Sequence, residues 1–111
     1  MFFEFHQNNS GGHDDIDPNT GIVKVVVIEA PDCETANNRA ESIGLYFDGC
    51  DNGRDCLCCG DRWYRQWSNK EGSVVPIVYG KPVDLTSKKD WYFPIAIHYA
   101  DGRCTWITGA D

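Results

Sequence analysis

Residues 21–30 read Gly-Ile-Val-Lys-Val-Val-Val-Ile-Glu-Ala, rich in β-branched side chains and almost unbroken in their apolarity. Such side chains lose rotamer freedom in a helix and pack well on a pleated surface. A strand apolar on both faces has to lie in the middle of a sheet with both faces covered. The rest of the chain must therefore supply flanking strands and at least one covering layer. With 111 residues, folding removes roughly 65% of the unfolded chain's accessible surface. The core then depends on neither a metal nor a disulfide.

The covering layer follows directly in sequence. After Pro31, Asp32 is suited to cap a helix, and Cys33, Ala36, Ala40, Ile43 and Phe47 recur at spacings of three and four, tracing one apolar stripe. Glu34, Asn37, Asn38, Arg39 and Glu41 fall on the wet side, and residues 44–46 end the helix. Phe2, Phe3 and Phe5 around Glu4 form a first strand that empties into Gln7-Asn8-Asn9-Ser10-Gly11-Gly12, whose residue types favour turns. Residues 48–55 are turn chemistry. Residues 74–79 read as an edge strand, because Pro76 is poorly tolerated in a central one. Residues 92–99 and 103–108 form a last pair across Asp101-Gly102, a hairpin signal. The sum is one α+β domain over residues 1–111: a small antiparallel sheet of four or five strands with one helix packed on one face.

Seventeen acidic against ten basic residues give a net charge of −7, a field that repels polyanions and argues against duplex DNA or RNA as a partner. A small anion in a pocket answers to local groups instead, since charges beyond ~8 Å are screened at physiological salt. The first residues carry neither a basic region nor the apolar run of a secretory signal, and no stretch approaches the ~20 apolar residues of a membrane span. The expectation is an intracellular, cytoplasmic chain whose six cysteines are thiols or metal ligands before they are disulfides.

Cys50, Cys56, Cys58 and Cys59 fall within ten residues, close enough in principle to surround zinc. Structural zinc usually draws on two separated knuckles, and the adjacent Cys58 and Cys59 are expected to point apart. Burial as small hydrophobes is the favoured reading, with no metal bound. Cys59, before a glycine and two arginines, is a weaker candidate nucleophile. Asp14, Asp15 and Asp17 lack the remaining ligands of a calcium loop and read as a solvated acidic turn. His98 reads as a structural histidine within a strand. No catalytic residue and no cofactor is nominated.

Arg62-Trp63-Tyr64-Arg65-Gln66-Trp67 places guanidinium groups beside aromatic faces. That combination holds nucleobases by stacking and phosphates by paired hydrogen bonds, and it equally describes core or interface anchors. His6, Gln7, Asn8, Asn9 and Ser10 offer amides, a ring nitrogen and a hydroxyl beside glycines that let backbone N–H groups approach a ligand. The segment has no Walker lysine and no dinucleotide fingerprint. It reads equally as a solvated turn.

Taken together, residues 1–12, the helix of residues 36–47 and Cys58-Cys59-Gly60-Asp61-Arg62-Trp63-Tyr64 give the chain its likeness: it resembles a widespread family of small bacteriophage proteins, similar to the phage anti-CBASS sponges. The likeness covers the first two thirds of the chain. It implies a non-catalytic homo-oligomer, a tetramer, acting in the cytoplasm of an infected bacterium. There it would bind cyclic dinucleotides such as cGAMP and deny them to the host effector.

The ligand contacts are assigned by chemistry. Trp63 or Tyr64 stacks on a base, Arg62 and Arg65 meet phosphate, and His6, Gln7, Asn8, Asn9 and Ser10 read base or ribose edges. Useful sequestration needs nanomolar affinity, about −12 kcal/mol, whereas stacking supplies ~1–3 kcal/mol per base. Two stacked bases fall short, which predicts charged contacts to both phosphates and a site between subunits. Two other classes stay open: an acidic inhibitor that blocks a host protein, and a thiol-dependent or nucleotide-cleaving enzyme.

Overall fold

The computed structural model describes residues 1–12, 14–67, 70–84, 91 and 93–107. Four strands form the main sheet: β1 (Phe2–His6), β2 (Val25–Glu29), β5 (Ile95–His98) and β6 (Cys104–Ile107), in the spatial order β1-β2-β5-β6. One helix, α1 (Cys33–Ile43), lies on it, and a separate two-stranded ribbon joins β3 (Ile77–Val78) to β4 (Lys81–Pro82).

β2 is central, as its composition demands. Val25, Val26, Val27 and Ile28 are all buried. Val26 and Ile28 join Phe3, Phe5, Ala36, Ala40 and Trp63 under the helix. Val25 and Val27 meet Ile95, Ile97, Ile107, Val78 and Trp91 on the other side. Period-two alternation thus divides one strand between two cores.

The sheet departs from the antiparallel expectation at its centre. β1 and β2 are antiparallel with Phe5 opposite Val26, and β5 and β6 are antiparallel with Ala96 opposite Trp106. β2 and β5, however, run parallel, with Val26 beside Ala96 and Val27 beside Ile97. A parallel pair needs a long crossover, and residues 30–94, which include the helix, provide it. The sheet is mixed and mostly antiparallel.

The helix follows its capping code. The Asp32 carboxylate accepts from the Thr35 N–H at 2.8 Å. At the other end Gly44, at φ 116°, takes the left-handed conformation that a side chain would resist. Cys33, Ala36 and Ala40 are buried, while Phe47, placed on the same stripe by spacing, is buried beyond the helix end. Asn37 is not simply solvated: its side chain exchanges two hydrogen bonds with the Gln66 backbone, at 2.7 and 3.0 Å.

The expected edge strand at residues 74–79 shrinks to β3, which pairs only with β4, and Val74 and Val75 are exposed. The last hairpin forms with Gly102 at φ 93° in its turn. The outer ends of that expectation, Tyr92 and Thr108, lie outside the described residues. No described helix is long and apolar enough to cross a membrane.

Candidate functional site

The two segments that drew attention in sequence meet in space, but largely to hold each other. Arg62 is 4% exposed. Its guanidinium donates to the Tyr46 hydroxyl (3.1 Å), the Gln7 side-chain oxygen (3.1 Å) and the Ser10 carbonyl (2.7 Å). The carboxylates of Asp15 and Asp55 lie 3.2 and 3.9 Å from its Nε. The Asp55 carboxylate is itself wholly buried, accepting from Tyr46 Oη at 2.6 Å and from the Arg62 N–H at 2.8 Å. Burial and the neighbouring Asp55 hold the Tyr46 phenol above its ordinary pKa, against the opposing pull of Arg62.

Four of the expected ligand residues are thus engaged within the fold. Arg62 does not present itself to a phosphate, because its donors are spent inside the fold. Gln7, 2% exposed, donates to the Asp15 and Val23 carbonyls and accepts from Arg62. Ser10, 1% exposed, accepts the Cys56 N–H on its hydroxyl at 2.9 Å. Asn8 donates to the carbonyls of Cys59 (2.7 Å) and Asp61 (3.2 Å). Amides that looked ready to read a ligand instead clamp the cysteine turn to the end of β1. A buried polar group seeks a partner: Asn8 and Ser10 find theirs in the backbone of residues 56–61, and Gln7 in the Asp15 and Val23 carbonyls and Arg62.

His6 stands elsewhere. It alternates with Phe5, so it faces the opposite side of the sheet, where Nε2 meets Glu4 at 2.6 Å and the ring packs at a tilt of 39° against Tyr79, with centroids 4.4 Å apart. Asn9 is exposed. Trp63, 1% exposed, belongs to the core under the helix and reaches a groove only as its floor.

What remains accessible is the outer half of the aromatic segment. A groove of about 480 Å³ is lined by Phe47, Asp48, Asp61, Trp63, Tyr64, Arg65 and Trp67. A second depression of about 310 Å³ lies between Cys33, Asn37 and Gln66 and shares Arg65 and Trp67 with the first. Tyr64 is 58% and Trp67 79% exposed. Arg65 pairs with the exposed Asp48 carboxylate, and its guanidinium lies 5.3 Å from the Phe47 ring centre. Gln66, tied to Asn37 and to the Glu4 carbonyl, anchors the ridge that carries them. Trp67 was not among the expected ligand residues, although it closes the same Arg-Trp-Tyr-Arg-Gln-Trp segment.

The cysteines also depart from expectation. Only Cys33 is buried; Cys50 and Cys56 are half-buried and Cys58, Cys59 and Cys104 exposed. Cys58 and Cys59 do not diverge, for their sulfurs and that of Cys56 all lie within 4.8 Å of one another.

Comparison with curated proteins and with solved structures gives no match. The match that exists is to a family model and covers every residue from 1 to 111: the chain belongs to the family described as Domain of unknown function (DUF7296).

Proposed function

We propose that the protein is a non-catalytic module that binds and sequesters a cyclic dinucleotide. One observation carries this reading: Tyr64 and Trp67, both exposed, flank Arg65 on a ridge between two depressions. Exposed aromatic faces beside a guanidinium suit a ligand that has bases to stack and phosphate to pair. Two adjoining depressions suit a ligand with two bases. The exposed Arg65–Asp48 pair is worth only about 0–1 kcal/mol, so a phosphate competes readily for Arg65.

With Arg62 committed to the fold, each chain offers this ridge a single arginine. A ligand with two phosphates then calls for Arg65 from a second copy, so a homo-oligomeric site, as in a tetramer, is part of the proposal. The resemblance to the phage sponges points the same way and gives the setting, inhibition of CBASS in the infected cell.

The test is a thermal-shift screen against cyclic di- and trinucleotides. A ligand at 100 times its dissociation constant adds about 2.7 kcal/mol of stability. A shift with one nucleotide, its chemically intact recovery after heat denaturation and an oligomer at the same concentration support sequestration. A recovered product that is cleaved makes the protein an enzyme. No shift with any nucleotide turns attention to a host protein as the partner of the same exposed tryptophan.

A further inference from the structure

Cys56, Cys58 and Cys59 bring three sulfurs within 4.8 Å of one another, and among the described residues no other group of three histidine, cysteine or acidic side chains converges in this way. Three sulfurs bound at about 2.3 Å to one tetrahedral ion lie about 3.8 Å apart. The observed spacing is therefore close to what a metal requires, with Cys56 and Cys58 already nearer, at 3.0 Å. We infer that this turn is a binding site for a thiophilic divalent cation of the zinc class, held by the thiolates of Cys56, Cys58 and Cys59 with its fourth position open to solvent.

The local backbone explains how adjacent cysteines converge. Cys56 and Cys59 stand at the two-residue spacing of a metal knuckle. The N–H groups of Cys59 and Gly60 both turn back onto the Cys56 carbonyl, at 3.2 and 3.1 Å. Gly60 sits at φ 90°, and a Cβ there would come 3.0 Å from the Tyr64 hydroxyl. The turn is also fixed from outside: Ser10 accepts from the Cys56 N–H, and Asn8 donates to the Cys59 carbonyl. These outer partners leave little to order when an ion arrives.

The electrostatics favour a cation. The carboxylates of Asp61, Asp55 and Asp51 act together on the neighbouring Cys50 and set a negative field beside the turn. Cys50 stays outside the triad, its sulfur donating to the Cys56 carbonyl at 3.4 Å. On binding, three metal–sulfur bonds form, each thiol still protonated releases its proton to solvent, and no oxidation state changes.

The test uses the full chain, stripped of metal and kept reduced with a phosphine, titrated with cadmium(II) and then with zinc(II) against a chromogenic chelator. The expected result is a sulfur-to-cadmium charge-transfer band that saturates at one ion per chain. Relative to the metal-free chain, in which the buried Cys33 is already shielded, three further thiols then resist alkylation, mapped by peptide mass spectrometry to Cys56, Cys58 and Cys59. Cys59→Ser weakens binding by more than about 100-fold, and Asn8→Ala by about 10-fold. Cys50→Ser leaves it within about 3-fold, inside the spread expected for a residue outside both shells. Absence of a saturable band in the reduced wild type, or protection mapping elsewhere, overturns the site without recourse to any variant. A Cys50→Ser loss equal to that of Cys59→Ser overturns the triad.

Discussion

The Arg62 guanidinium donates to the Gln7 side-chain oxygen across 3.1 Å, both residues buried and 55 positions apart in sequence. That bond joins the end of β1 to the segment after the cysteine turn. Arg62→Ala leaves the Ser10 carbonyl without this donor and the buried Asp55 carboxylate without its neighbouring positive charge, and removing one side of a buried charge pair costs about 3–5 kcal/mol. The expected outcome is a fall in Tm of more than about 10 °C by calorimetry. Arg62→Lys, which cannot serve three acceptors from a planar fork, recovers only part of it. A variant that melts with the wild type would remove this clamp from the stability of the fold.

Trp67 is expected to behave in the opposite way. Being 79% exposed, its replacement by alanine leaves stability within about 0.5 kcal/mol. Calorimetric titration with the nucleotide found in the screen should show a loss of ~1–3 kcal/mol, the contribution of one stacked base. Unchanged affinity in both Trp67→Ala and Tyr64→Ala would move the ligand off this ridge.

Gly49 is expected to admit no side chain. A Cβ there would overlap the Asp55 carboxylate and come 2.8 Å from the Tyr46 ring. Since Asp55 is fixed by Tyr46 and Arg62, it has nowhere to retreat. Gly49→Ala should cost about 1–3 kcal/mol in urea denaturation, with the midpoint lowered and the slope unchanged.

His98 sets a pH dependence. Burial lowers its pKa below the ordinary 6.5, with Arg39 adding to this and the hydrogen bond to the Gly21 carbonyl, at 2.8 Å, opposing it. The unfolded chain therefore binds the proton more readily than the folded one. Stability is complete above about pH 6.5 and declines as the pH falls through and below that value. Tm measured from pH 7.5 down to 5.5 should drop in the wild type, and more shallowly in His98→Asn.

Much of the scaffold is legible because it rests on local rules. The β-branched run of β2 demands two covered faces, Asp32 and Gly44 bracket the helix, and Asp101-Gly102 turns the last hairpin. The direction of β5 beside β2 is not legible, because strand composition says nothing about which way a neighbour enters after a long crossover. The site was half legible. The chemistry of Gln7, Asn8, Ser10 and Arg62 is that of hydrogen-bonding residues whether their partner is a ligand or the chain itself. Only burial separates the two, and burial is set by packing between residues 55 positions apart. Tyr64 and Arg65 are exposed, while Trp63 just before them turns inward.

The parallel register of β2 on β5 has a consequence for how the molecule is made. β2 gains its first neighbour from β1 early, but its second arrives only after residues 30–94 have been synthesised and their ends brought together. Loop closure of that span must precede its reward, which places this domain among slow folders of high contact order. Until then the most apolar strand of the chain offers an unpaired edge to any other extended segment. During synthesis the molecule is therefore most open to misassembly just before β5 leaves the ribosome, and shortening the chain before Ile95 would make that exposure permanent.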